Sequence, residues 1–98
     1  MYYVYILKSR KEAGAIYIGY TSDLKKRLVE HNNPEYKSYS KRFVPWEIES
    51  YFAFTDEGEA KTFELYLKSS SGKAFMRKRL LSVSFKKALK KFNNGKAV

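Results

Sequence analysis

The chain opens on Tyr2, Tyr3, Val4, Tyr5, Ile6 and Leu7, an unbroken run of aromatic, β-branched and leucine residues, and a second such run follows at Ile16-Tyr17-Ile18-Gly19-Tyr20. Both compositions suit strands. Lys11-Glu12-Ala13-Gly14 between them supplies turn residues, so the two runs are expected to pair as a β-hairpin. Thr21, Ser22 and Asp23 then offer three successive N-cap candidates, and Leu24, Leu28 and His31 follow at the spacing of one helical face. This predicts a helix from about Asp23 to His31, stopped by Asn32-Asn33-Pro34. Glu35 to Phe43 is polar and basic and reads as a surface loop.

Trp46 to Phe54 alternates in part and is rich in aromatics, which makes it the third strand. In the next stretch Thr55 is the expected N-cap, Asp56, Glu57 and Glu59 occupy the favourable end of the helix dipole, and Ala60, Phe63 and Leu67 mark an inward face. Ser69-Ser70-Ser71-Gly72 is expected to break that helix. Further on, Phe85, Ala88, Leu89 and Phe92 form an apolar stripe backed by Lys86, Lys87, Lys90 and Lys91, the pattern of a short basic amphipathic helix. The expected fold is therefore α+β: a small three-stranded antiparallel sheet flanked by helices, in a single domain over residues 1–80, with a basic C-terminal helix and tail over 81–98.

Ninety-eight residues with 44% hydrophobic content are enough for one core and no more. Nine Tyr, seven Phe and one Trp supply more packing material than a disordered chain carries. The absence of cysteine excludes disulfide frameworks, thiol nucleophiles and cysteine-ligated metals, and a single histidine excludes a multi-His site. Any metal must then be a hard ion held by carboxylate and water. The apolar opening is short and lacks a positive leader, and no run is long enough to span a membrane, so a cytoplasmic protein is expected.

The formal charge of +10 is unevenly distributed. Residues 1–64 carry as many acidic as basic side chains, whereas residues 65–98 contain ten Lys and Arg and no Asp or Glu. Such a surplus points to a polyanion, with DNA first and RNA as the alternative, rather than to a membrane. Lys37, Lys41 and Arg42 in the predicted loop and Lys86, Lys87, Lys90 and Lys91 in the predicted last helix are the candidate nucleic-acid contacts.

Two polar residues stand where a bland core would not place them. Arg27 borders the packed side of the first predicted helix and Glu64 that of the second, and carboxylates are seldom buried without a partner or a metal. With these residues the sequence resembles a known family. Tyr3-Val4-Tyr5, Tyr17-Ile18-Gly19, Arg27, His31 and Glu64, in that order over roughly residues 2–70, resemble the GIY-YIG nuclease domain, and most of all its small stand-alone, UPF0213-like members. Tyr3 stands where the first motif has glycine. The family's later polar residue has no clear counterpart: Ser71 and Lys73 are candidates, and Met76 occupies the expected neighbourhood.

The resemblance implies a phosphodiester hydrolase with Tyr5, Tyr17, Arg27, His31 and Glu64 at its active site and one Mg²⁺ or Mn²⁺ at Glu64. Hydrolysis needs an activated water, cationic help for the phosphoryl oxygens and stabilisation of the leaving oxygen. Tyr17 is the implied base, with Tyr5 beside it on the same face of a hairpin of even register. A tyrosine is a weak base at neutral pH, so a neighbouring cation must assist it, a role open to Arg27. So small a domain has little surface for reading a long sequence, which favours structure-specific cutting or a protein partner that supplies specificity. The rival readings are a non-catalytic nucleic-acid-binding module on the same fold, in which Glu64 merely pairs with Lys61 or Lys68, and a peripheral membrane protein using the helix from Phe85 to Phe92.

Overall fold

The computed structural model describes residues 1–35 and 39–80. Lys37 and the predicted basic helix with Lys86, Lys87, Lys90 and Lys91 lie outside the described residues. The strands are β1 (Tyr2–Ser9), β2 (Ile16–Thr21) and β3 (Trp46–Phe54), and the helices are α1 (Leu24–Asn32), α2 (Glu57–Lys68) and α3 (Ser70–Arg79). The three strands form one antiparallel sheet in the order β2-β1-β3, as expected for this α+β chain. The first strand is thus the central one. The register sets Tyr5 opposite Gly19 and Leu7 opposite Tyr17 on one side, and Tyr5 opposite Tyr51 on the other.

The hairpin turn uses its glycine, because Gly14 has a φ of 89°, a region that side chains resist. Buried Ser9 organises the same turn. Its Oγ accepts the N–H groups of Lys11 (3.1 Å) and Glu12 (2.9 Å) and donates to the carbonyl of Phe43, which joins the turn to the segment before β3.

Strand alternation divides the core between the two faces of the sheet. On one, Val4, Ile6, Ile16 and Ile18 pack against Ala60, Leu67 and Met76 of α2 and α3. On the other, Tyr5 and Leu7 pack with Tyr17, Trp46, Leu24 and Leu28. Each fully buried aliphatic side chain contributes about 1.5–3 kcal/mol, so both layers are needed to hold so small a sheet.

Three local expectations are corrected. The N-cap of α2 is Asp56 and not Thr55: its carboxylate accepts the N–H of Glu59 at 2.8 Å and adds negative charge at the positive end of the helix dipole, which a threonine does not. The break after α2 is one residue wide. Ser69 ends α2 through its N–H to the carbonyl of Tyr66 (3.0 Å) and starts α3 by accepting the N–H of Gly72 (3.1 Å), so Ser70, Ser71 and Gly72 are helical. Gly72 is there for proximity, since a Cβ on it would fall 1.9 Å from the carbonyl oxygen of Tyr66. Finally, the expected loop before β3 contains a 3-10 helix, Tyr39–Phe43, and the ring of Phe43 meets Trp46 at 5.9 Å.

Candidate active site

Helix α1 presents Arg27 and His31, and both of its ends are pinned. At its start Asp23 accepts the N–H of Lys26 (3.1 Å), while Thr21 Oγ1 accepts the N–H of Asp23 (3.1 Å). At its end the amide of Asn32 donates to the carbonyl of Trp46 (2.9 Å) and accepts the Trp46 N–H (2.6 Å), a two-way clasp onto the first residue of β3. His31, one residue earlier, is thereby pressed into the sheet and is 1% exposed.

Four of the five expected catalytic side chains meet there. Tyr5, also 1% exposed, has its hydroxyl 3.1 Å from His31 Nε2 and 3.4 Å from Arg27 Nε. Arg27 Nε can only donate, so the order that satisfies all three groups is Arg27 N–H to the Tyr5 oxygen and Tyr5 O–H to His31 Nε2. This order requires a neutral imidazole. Burial, and after it the charge of Arg27, pushes the His31 pKa down to about 4, with a smaller opposing influence from Glu30. Arg27 Nη1 in turn donates to Glu30 Oε1 at 3.0 Å, which holds the guanidinium at both ends.

Tyr17 completes the group in a different way. Its ring stacks on Tyr5 at 6.1 Å with an interplanar angle of 16° and lies 4.4 Å from the His31 ring. Its phenol has no hydrogen-bond partner among the described residues and is not among their buried unsatisfied atoms, so it opens to solvent. Gly19 makes this packing feasible, because a Cβ there would come within 2.6 Å of the Tyr5 hydroxyl and 3.0 Å of the Tyr17 ring.

Glu64 is held apart from the four. It lies on α2, whose inward residues pack on the opposite face of the sheet, and its Oε2 accepts from Lys68 Nζ at 3.0 Å. Lys61, the other candidate partner, pairs with Glu57 at 3.9 Å. Glu57, Lys61, Glu64 and Lys68 form one row of α2. That row starts beside β2, since Tyr20 donates to Glu57 (2.9 Å) and Lys61 stands 5.6 Å over the Tyr20 ring. Arg27 and His31 approach β2 from one layer and the Glu64 row from the other.

Among the described residues no three His, Cys, Asp or Glu side chains gather into a metal cluster. A single carboxylate completed by water and phosphate oxygens is nevertheless a normal set for a hard divalent ion, so Glu64, largely shielded yet reachable, fits once Lys68 moves aside. Lys41 and Arg42 are exposed on the 3-10 helix, as a contact role requires. Met76 belongs to the core, Ser71 is exposed and Lys73 is half-buried. Glu30 and Asn32 join the site as positioning residues that the sequence patterns do not mark as functional. The i, i+3 spacing of Glu30 from Arg27 is a local signal that could have marked it, whereas the Asn32 clasp spans 14 residues and leaves no local trace.

A profile of the GIY-YIG catalytic domain matches residues 1–79. Similar proteins include a UPF0213 protein of Staphylococcus saprophyticus, 33% identical over 70 residues that make up 71% of this chain and 83% of that protein. A UPF0213 protein of Clostridium perfringens is 37% identical over 69% of this chain and 71% of its own length, and one of Bacillus licheniformis is 33% identical over 74% and 72%. The chain belongs to the GIY-YIG family of nuclease domains and is similar to its small UPF0213 members.

Proposed function

We propose that the protein is a metal-dependent DNA endonuclease that hydrolyses phosphodiester bonds, directed by DNA structure or by a protein partner. The observation that carries this reading is the division of labour between two stacked tyrosines in a GIY-YIG chain: Tyr5 is buried and committed to Arg27 and His31, while the Tyr17 phenol is open to solvent. Once ionised, an open tyrosine can take a proton from a water attacking phosphorus, the phenolate returning to the neutral phenol. Arg27, about a third exposed and held by Tyr5 and Glu30, is positioned to meet the phosphoryl oxygens without losing conformational freedom on binding. Neutral His31 fixes the Tyr5 hydroxyl and adds no competing charge beside Arg27.

In this reading Glu64 would hold a divalent ion, which would supply positive charge for the departing oxygen. Lys41 and Arg42, together with Lys37 and the lysines at 86, 87, 90 and 91, supply contacts to the DNA backbone. The second reading, a nucleic-acid-binding module that does not cut, draws on the Glu64–Lys68 ion pair. Incubation with supercoiled plasmid and Mn²⁺ separates the two, and a panel of duplex, flap, forked and branched DNAs then identifies the substrate. Nicking that requires the metal supports the nuclease; tight binding without nicking under any of these conditions would overturn it.

A further inference from the structure

Beside the tyrosine cluster, on the same face of the sheet, lies a second aromatic pair that the chemistry above does not use. Tyr3 is two residues from Tyr5 on β1, and Tyr51 is directly opposite Tyr5 on β3. The Tyr3 and Tyr51 rings meet edge to face, with centroids 6.0 Å apart and an angle of 66°. With Ser22, Asp23, Leu24 and Lys25 they line a concavity of about 320 Å³, at the small end of ligand-sized clefts. Tyr51 is 54% exposed, although its neighbour Tyr5 on the same face is wholly covered.

We infer that Tyr3 and Tyr51 form a stacking platform for one unpaired base of the DNA, next to the bond to be cut. This inference deepens the nuclease reading and rests on it. An exposed ring with a π-face is a general acceptor for any base, and stacking of this kind is sequence-tolerant. Asp23 and Lys25 both line it, and both are exposed. The Asp23 carboxylate, engaged with the Lys26 N–H, disfavours a phosphate close to it, whereas the flexible Lys25 ammonium can meet one. The two charges offset each other, which suits a neutral base against the rings with its phosphate at Lys25.

Leu24 belongs both to this concavity and to the packed cluster that holds Tyr5 and Tyr17, so the platform is continuous with the proposed catalytic surface. A fully paired duplex cannot offer a base to the platform without first flipping it out, at a cost of a few kcal/mol. A fork, flap or gap offers one freely. The substrate class is accordingly DNA with at least one unpaired base beside the cut.

The test uses the full chain without divalent metal and a forked DNA carrying 2-aminopurine at the unpaired position beside the junction. Wild type should quench its fluorescence on binding. Tyr51→Ala should abolish the quench and weaken fork binding about tenfold, with duplex affinity nearly unchanged, and Tyr51→Phe should restore both. Equal quenching in the Ala variant, or equal losses on fork and duplex, would overturn the platform. Absence of any DNA binding by wild type would overturn it together with the nuclease. If quenching persists but wild type fails to nick with Mn²⁺, the nuclease falls and the platform stands.

Discussion

The Tyr5 ring lies over Gly19, its cross-strand partner, so closely that a methyl group on Gly19 would sit 2.6 Å from the Tyr5 hydroxyl and 2.8 Å from the carbon bearing it. That hydroxyl is the shared atom of the Arg27 and His31 contacts. Gly19→Ala should therefore drive the ring off both partners. The expected cost is about 1–3 kcal/mol of stability, as for other overpacked sites, with a fall in plasmid nicking of at least about tenfold. Melting temperature and nicking rate measured on the same preparation check it, and an Ala variant with parental nicking would show that Tyr5 need not stay where it is.

The lowered His31 pKa predicts an acid-sensitive fold. The imidazole stays neutral in the folded chain down to about pH 4, whereas in the unfolded chain it takes up a proton near 6.5. Between those values the unfolded state binds more protons, so the His31 contribution is complete above about pH 6.5 and is lost as the pH falls towards 4. Urea melts at pH 7.5 and 5 should show wild type losing about 2 kcal/mol more than His31→Gln over that interval. Parallel losses in the two proteins would contradict the assignment.

Arg27→Lys keeps the charge but not the fork. A lysine cannot serve Tyr5 and Glu30 at once and face two phosphate oxygens as a plane. Nicking should drop by about tenfold to a thousandfold, while DNA affinity at fixed salt and the melting temperature change little. Full activity in the Lys variant would remove Arg27 from the chemistry.

Glu64→Gln distinguishes a metal ligand from a surface partner. As half of an ion pair with Lys68 the carboxylate is worth about 0.3–0.5 kcal/mol, and its loss would leave nicking untouched. As the ligand of a divalent ion it is indispensable: nicking should fall to background and the Mn²⁺-induced rise in melting temperature should vanish, with DNA binding undiminished. Wild-type nicking with an unaltered metal response would sink the assignment.

The three strands, α1 and α2 could be read from the sequence because their signals are local: the runs around Val4 and Ile18, the 3.6-residue spacing of Leu24, Leu28 and His31, and the acidic first turn of α2; α3 could not. Local signals mislead where one residue does two jobs or where packing decides. Ser69 serves two helices, so a run of serines and a glycine reads as a wider break than the one residue observed. Gly72 resembles a helix breaker until the backbone of Tyr66 is seen against it. The candidate site was legible as a set of residue types through the family pattern, but not as an arrangement. Nothing in the sequence says that Tyr5, and not Tyr17, is the tyrosine sealed under α1, because that depends on His31, 26 residues away, and on the Asn32 clasp to Trp46.

The central position of the first strand also imposes a schedule on folding. Pairing Lys8 with Ile16 closes a loop of roughly seven residues, whereas pairing Ser9 with Trp46 closes one of roughly 36, an entropic difference of about 1.5 kcal/mol. The hairpin can stack Tyr5 over Gly19 early, but His31 has no Trp46 to be clasped against until the distant strand arrives. Pulsed hydrogen exchange should accordingly protect the β1–β2 amides before those of β3. Assembly of the Tyr5–His31 contact then becomes one of the last events, and any slowing of β3 docking delays the appearance of activity more than the appearance of secondary structure.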